Sequence, residues 1–214
     1  MSFCEPKKDC ELCERLGIFR NINRQKFPQY YNGPVPAFGE LGAEILVVGL
    51  APGLNGANQT GRPFTNDYAG DVLYPILKQN GLARGEYQRR KDDGYELCNV
   101  RITNAVRCVP PENKPTTAEE KNCRHFLAAE IAAMPNLKVI LSLGGISHKN
   151  VLQALGLKQS QAKFKHGAIH DLPAQKIKLV DSYHTSRYNI NTGVLTYAMF
   201  DEVIKKIKEL IARG

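Results

Sequence analysis

The stretch EILVVGLAPGLNGANQTGRPFTNDYAG, residues 44–70, joins a short apolar run to a loop dense in glycine, amides and small side chains. A run that is apolar throughout, instead of at alternate positions, is what a strand buried on both faces of a parallel sheet requires. The loop after it is not a phosphate cradle. Lys and Ser or Thr do not follow its second glycine, as a P-loop demands, and the three glycines of a dinucleotide site are not in frame. It reads as an irregular loop at the carboxyl end of a strand, long enough to close over a flat ligand, with Phe64 as a stacking surface.

Three further runs read as strands of the same sheet: 99–106 (NVRITNAV), 137–143 (LKVILSL) and 176–182 (KIKLVDS), the last with more alternation. Helical periodicity lies between and after them. Residues 69–80 follow Asp67, with Pro75 arguing for a kink. Residues 117–133 open on Thr116 or Thr117 with Glu119 and Glu120, a capped start. Helices over about 146–155 and 197–212 complete the set, the last with Phe200, Val203, Ile204 and Ile207 on one side and lysines on the other. The expected fold is a three-layer α/β/α sandwich around a mostly parallel four-stranded sheet, in a single domain over 1–214. Ligands of such sheets bind beyond the carboxyl ends of the strands. That rule directs attention to Gly49–Gly53, Thr103 and Asn104, Gly144 and Gly145, and Tyr183–Arg187. The segment ARGEYQRRKDDG, 83–94, reads as an exposed basic loop.

Composition narrows the partners. Of 214 residues, 43% are hydrophobic and 23% charged, which suits a globular chain, and no apolar run approaches the length of a membrane span. No charged-then-apolar leader precedes MSFCEPKK, so the expected location is intracellular, cytoplasmic and close to the nucleoid. The formal charge of +8 favours polyanionic partners. Six cysteines in such a chain argue against a disulfide framework. Cys10 and Cys13 form C-x2-C, and Cys108 and Cys123 bracket a Pro-rich loop and the start of a helix. A close pair and a distant pair can complete one tetrahedral thiolate set, and zinc and an iron–sulfur centre both accept it. Cys98 reads as a small buried hydrophobe, and Cys4 lies near the four without being assigned to them.

Several separate motifs, in one order, carry a resemblance that runs from about residue 10 to the last helix. PVPAFGELGAEILVVGLAPG, GANQTGRPFTNDYAG, RITNAVRCVPPENKP and HTSRYNINTGVLT, with the cysteine spacing, resemble the type 5 branch of the uracil-DNA glycosylase superfamily. The resemblance implies a [4Fe-4S] cluster on Cys10, Cys13, Cys108 and Cys123, structural in role. It implies DNA containing deaminated bases as the partner, with uracil, hypoxanthine and xanthine as the bases, no membrane, and action as a monomer. The type 4 relatives carry Glu where this chain has Leu50, which leaves Asp67 as the nearest carboxylate in the loop, and the resemblance implies an Asp there as the catalytic group. Two departures stand out. The chain reads His184-Thr185-Ser186-Arg187 where HPSP is usual, and Thr65-Asn66-Asp67 where TGD is usual.

Cleaving an N-glycosidic bond leaves positive charge on the sugar and negative charge on the departing base, and the base must first be everted into a pocket. The assignments follow from that demand. Phe64 stacks on the everted base, and Asn104 contacts the base edge or holds the water, since an amide both donates and accepts. His184 donates to the uracil O2, while Gly49, Ala51 and Gly144 bring backbone close to the base. Arg187, with Tyr188 and Asn191, reaches phosphates and wedges into the stack. His125, His148, His166 and His170 take structural roles by default. A non-catalytic iron–sulfur or zinc nucleic-acid-binding module is the competing class. A metal-dependent nuclease is disfavoured, because the strand ends lack the clustered carboxylates it needs.

Overall fold

The computed structural model describes residues 3–212. Its elements in chain order are α1 (Glu14–Lys26), β1 (Ile45–Gly49), the single turn α2 (Ala57–Thr60), α3 (Tyr68–Gln79), β2 (Ala83–Arg84), β3 (Glu96–Leu97) and β4 (Val100–Asn104). They continue with α4 (Thr117–Ala132), β5 (Val139–Leu143), α5 (Gly145–Ala154), β6 (Ile169–Leu172), β7 (Ile177–Ser182), α6 (Arg187–Asn191) and α7 (Tyr197–Ala212). The main sheet runs β4-β1-β5-β7-β6, and β2 pairs with β3 as a separate two-stranded ribbon. The neighbours β4, β1, β5 and β7 are parallel, as expected, while β6 joins the edge antiparallel to β7.

The sheet therefore has five strands and not four. In β6 only Leu172 is buried, so an edge strand with solvent on most side chains lacks the apolar run that betrays its neighbours. A second element escaped the periodicity. Helix α1 turns Leu16, Arg20 and Asn23 inward and leaves Ile18 and Ile22 exposed, which inverts the usual apolar face. Pro75 lies inside α3 without ending it, and Thr116 and Glu119 form the anticipated reciprocal cap of α4.

Each central strand feeds both faces. Ile45 and Val47 pack with α3 and α7 in one core, while Leu46 and Val48 pack with α4 and α5 in the other. Register does the rest. Gly49 lies level with Asn104, Val48 with Ser142, and Leu143 with Ser182, so the chain leaves all four parallel strands at one edge of the sheet.

Candidate active site and cysteine pocket

At that edge a cleft of about 370 Å³ is lined by Ala51, Phe64, Asp67, Asn104, His184 and Arg187, among others. Four separate strand ends and loops thus meet in one space. Gly49 and Gly144 do not line it; they act by lacking a side chain. A Cβ on Gly49 would stand 2.4 Å from Asn104 Oδ1 and 2.5 Å from Phe64 Cζ, so this glycine admits both groups to the end of β1. Gly144 (φ 95°) turns the chain from β5 into α5 beside His184. Asn113, unassigned in the sequence, also lines the cleft. It sits with Glu112 in left-handed backbone, φ 57° and 54°, on the loop that starts at Cys108. A strained non-glycine pair is visible only in three dimensions.

The cleft holds its polar groups in distinct states. Asp67 caps α3, its Oδ1 accepting from Gly70 N at 3.0 Å. Burial raises its pKa and the nearby Asp71 adds to that, while the Gly70 N–H draws it back down. Asn104 is 3% exposed, and its amide has no hydrogen-bond partner among the described residues. The His184 ring lies 6.1 Å from the Phe64 ring, centre to centre and inclined at 30°. Burial alone lowers its imidazole pKa to about 4, so the ring is neutral at pH 7 and keeps one N–H to donate. The loop beyond it dispenses with proline by hydrogen bonding: Thr185 Oγ1 donates to Ala69 O, Ser186 caps α6, and Asn189 Nδ2 donates to His184 O. Arg187 stands over the ring of Tyr68, and Tyr188 beside it is 74% exposed.

The segment read as an exposed basic loop is exposed over most of its length, and through Asp93 it also supports the cleft. Asp93 makes a two-pronged ion pair with the buried Arg62 at 2.8 Å per prong and accepts from Gln88 N and Tyr95 N at 3.0 Å each. Burial pushes the Asp93 carboxyl up, but Arg62 and the two N–H groups outweigh it and hold the pKa at about 2. The guanidinium sits over Phe38, Tyr74 and Tyr87, and its Nε donates to Thr65 Oγ1. A charge count cannot reveal that one acid of a basic stretch is turned inward.

A second, smaller pocket gathers Cys10, Cys13, Cys108 and Cys123 with Leu16, Val106 and Phe126. Cys4 is exposed and outside it, and Cys98, between β3 and β4, is half-buried and not fully buried as read from the sequence. Three sulfurs have donors aimed at them: Arg107 N at 3.3 Å from Cys123, Asn122 Nδ2 at 3.6 Å from Cys13 and Arg20 Nη1 at 3.9 Å from Cys108. Burial raises the thiol pKa of Cys108 to about 12 and of Cys123 to about 11. Arg20 is 5% exposed, forms no ion pair among the described residues, and leaves its Nε without a partner. Four cysteines lining one pocket and a buried cation without an ion pair suit a thiolate-bound, net-anionic metal centre.

A third group, His148, His170 and Asp181, lies within ligand distance of one another but outside the cleft. Asp181 already accepts from His148 Nδ1, His170 Nε2, Ser142 Oγ and Lys165 N. The other nitrogen of His148 faces Ala162 O at 2.9 Å, so both ring nitrogens meet acceptors. Burial would lower that imidazole's pKa, but Asp181 and Ala162 raise it above the ordinary value.

The profile of the uracil DNA glycosylase superfamily matches residues 36–208. The chain is 41% identical over 214 residues to a type-5 uracil-DNA glycosylase of Thermus thermophilus, covering 98% of this chain and 97% of the relative. It is 38% identical over 202 residues to a type-5 uracil-DNA glycosylase of Pyrobaculum aerophilum, covering 92% and 87%. Against a type-4 uracil-DNA glycosylase of Thermotoga maritima the identity is 32% over 176 residues, covering 82% and 81%.

Proposed function

The chain belongs to the uracil-DNA glycosylase superfamily, and from that membership we propose a monofunctional enzyme that everts a deaminated base into the cleft and hydrolyses its glycosidic bond. Its reaction is the excision of uracil from DNA, the opening step of base excision repair. The convergence of Phe64, Asp67, Asn104 and His184 on one cleft, from three separate parts of the chain, is the observation that carries the residue roles.

Phe64 stacks on the base, and Asn104 offers its unpaired amide to the base edge or to the water. Asp67 is the general base: a carboxyl whose pKa is raised by burial accepts a proton from water better than an ordinary one, and the Gly70 N–H fixes its orientation. His184, neutral and in place before the reaction, donates an N–H toward the O2 on which negative charge develops, without the reorganisation that solvent would need. Arg187 and the exposed Tyr188 face the duplex at the mouth. Stacking with few base-edge contacts suits a base range that extends to hypoxanthine and xanthine.

The four cysteines hold a [4Fe-4S] cluster in this reading, which when bound braces the N-terminal segment against the loop that carries Asn113. The protein acts as a monomer in the cytoplasm, where bacterial and archaeal DNA resides. The test is direct. Purified protein is incubated in chelator with labelled duplexes containing uracil, hypoxanthine or xanthine, followed by alkali. Strand scission at uracil is expected; intact strands overturn the catalytic reading, and scission without alkali would make it bifunctional. Iron and sulfide at four atoms each per chain are expected, and zinc in their place overturns the cluster assignment.

A further inference from the structure

Phe64 and Asn66 both adopt left-handed backbone, with φ of 55° and 63°, a costly conformation for an aromatic residue in particular. Something outside the turn must hold it. The hydroxyl of Tyr87 does so from both sides: it accepts from Asn66 N at 3.1 Å and donates to Phe64 O at 3.3 Å. Burial raises the Tyr87 phenol to about 12, against the pull of the Asn66 N–H, so the donating proton is retained. Gly70 closes the same spot, since a Cβ there would stand 1.7 Å from Phe64 O and 2.8 Å from Tyr87 Oη. The tyrosine itself is gripped. Its ring lies 4.5 Å from Tyr74 and beneath the Arg62 guanidinium, which Asp93 pins from the same loop.

The turn so fixed carries the stacking ring at its start and leads directly into the carboxylate of Asp67. We propose that Tyr87 is a positioning residue for base excision, its single hydroxyl bridging the turn that sets Phe64 and Asp67 relative to each other. Tyr87 does not line the cleft, and the inference rests on the glycosylase reading of that cleft. An error of a fraction of an ångström in a group that must meet a water and a stacked base together lowers the rate of chemistry more than the affinity for DNA.

Tyr87→Phe removes the bridge and keeps the ring. In single-turnover excision on a uracil duplex, the variant is expected to lose about tenfold in maximal rate, with the half-saturating protein concentration within about twofold of the parent. Thermal unfolding, measured in parallel, identifies a temperature at which both proteins are fully folded, and the rates are compared there. An unchanged maximal rate, or a change confined to half-saturation, overturns the assignment. Should the variant fail to fold, the turn is read instead through Asn66→Gly in the Tyr87 background, which keeps the backbone N–H that the Tyr87 hydroxyl accepts from, removes the Asn66 Nδ2 bonds to Asn55 O and Gln59 Oε1, and is expected to preserve the rate within about twofold. A larger loss there would mean that the Asn66 side chain and not the Tyr87 bridge holds the turn. The unmodified protein in the same assay separates the two claims: if it excises no uracil, the glycosylase reading fails, and if it does while Tyr87→Phe matches it, only the positioning role fails.

Discussion

The cleft and the cysteine pocket lie at the two ends of one short loop, Cys108 to Asn113, yet they are completed in opposite ways. Around the cleft the buried charge is answered within the protein: Arg62 meets Asp93, and the strained turn beside it is bridged by hydrogen bonds. The Asn104 amide and the His184 ring, which line the cleft, have no hydrogen-bond partner among the described residues. In the cysteine pocket the cation Arg20 is buried without an acid and points at sulfur. The first region is complete by itself. The second becomes electrostatically whole with the proposed anionic centre, because a buried unpaired charge costs several kcal/mol.

The sharpest way to break the view of a preformed cleft is Asp67→Asn. Asparagine still caps α3, so folding is preserved while the base is lost. Single-turnover excision should fall about 10²–10⁴-fold with duplex affinity nearly unchanged, and a rate near that of the parent would remove Asp67 from the chemistry. Asp93→Ala tests the self-sufficiency of the same region. It strands Arg62 in its aromatic box and should cost about 3–5 kcal/mol in urea unfolding, alike in metal-loaded and metal-free protein. Because the folded carboxyl is held at about 2 against an ordinary 3.8, the pair contributes fully above pH 3.8 and its contribution is lost as pH falls through 2.

Arg20→Met carries the comparison to the other pocket, where the sign of the effect should depend on what is bound. In metal-free protein the substitution removes an uncompensated charge and should raise stability by about 1–3 kcal/mol; in loaded protein it removes a counter-charge and should lower it by a similar amount. Equal effects in both states would mean that the arginine does not answer an anionic centre. The smallest effect at neutral pH belongs to His184. Its ring should titrate near 4 by NMR, so protonation of this group leaves excision flat between pH 6 and 8. With the folded value below the ordinary 6.5, the unfolded chain binds more protons in between, and stability from this group declines as pH drops from 6.5 to about 4. A midpoint near 6.5 would show a solvated ring.

Legibility in the sequence tracked burial. The strands β1, β4, β5 and β7 were readable because two covered faces demand continuous apolar runs, and their shared direction placed the candidate site at one edge. Strand β6 was not, for it is an edge with one buried side chain. Helix α1 was missed because its inward face holds Arg20 and Asn23, whose reason for burial is a partner remote in sequence. Among the site residues, Phe64, Asp67, Asn104 and His184 stood at strand ends or in a loop of unusual composition. Asn113, Tyr87 and Asp93 carried no local signal.

Residue order alone determined the parallel sheet, the edge at which loops gather, the cysteine spacing and the family, since each depends on patterns within a few residues or on motifs in sequence. Tertiary structure alone decided which charges are paired, which glycines make room for a neighbouring side chain, and which hydroxyl holds the strained turn. Those are distances of a few ångströms between segments tens of residues apart, and no periodicity along the chain encodes them.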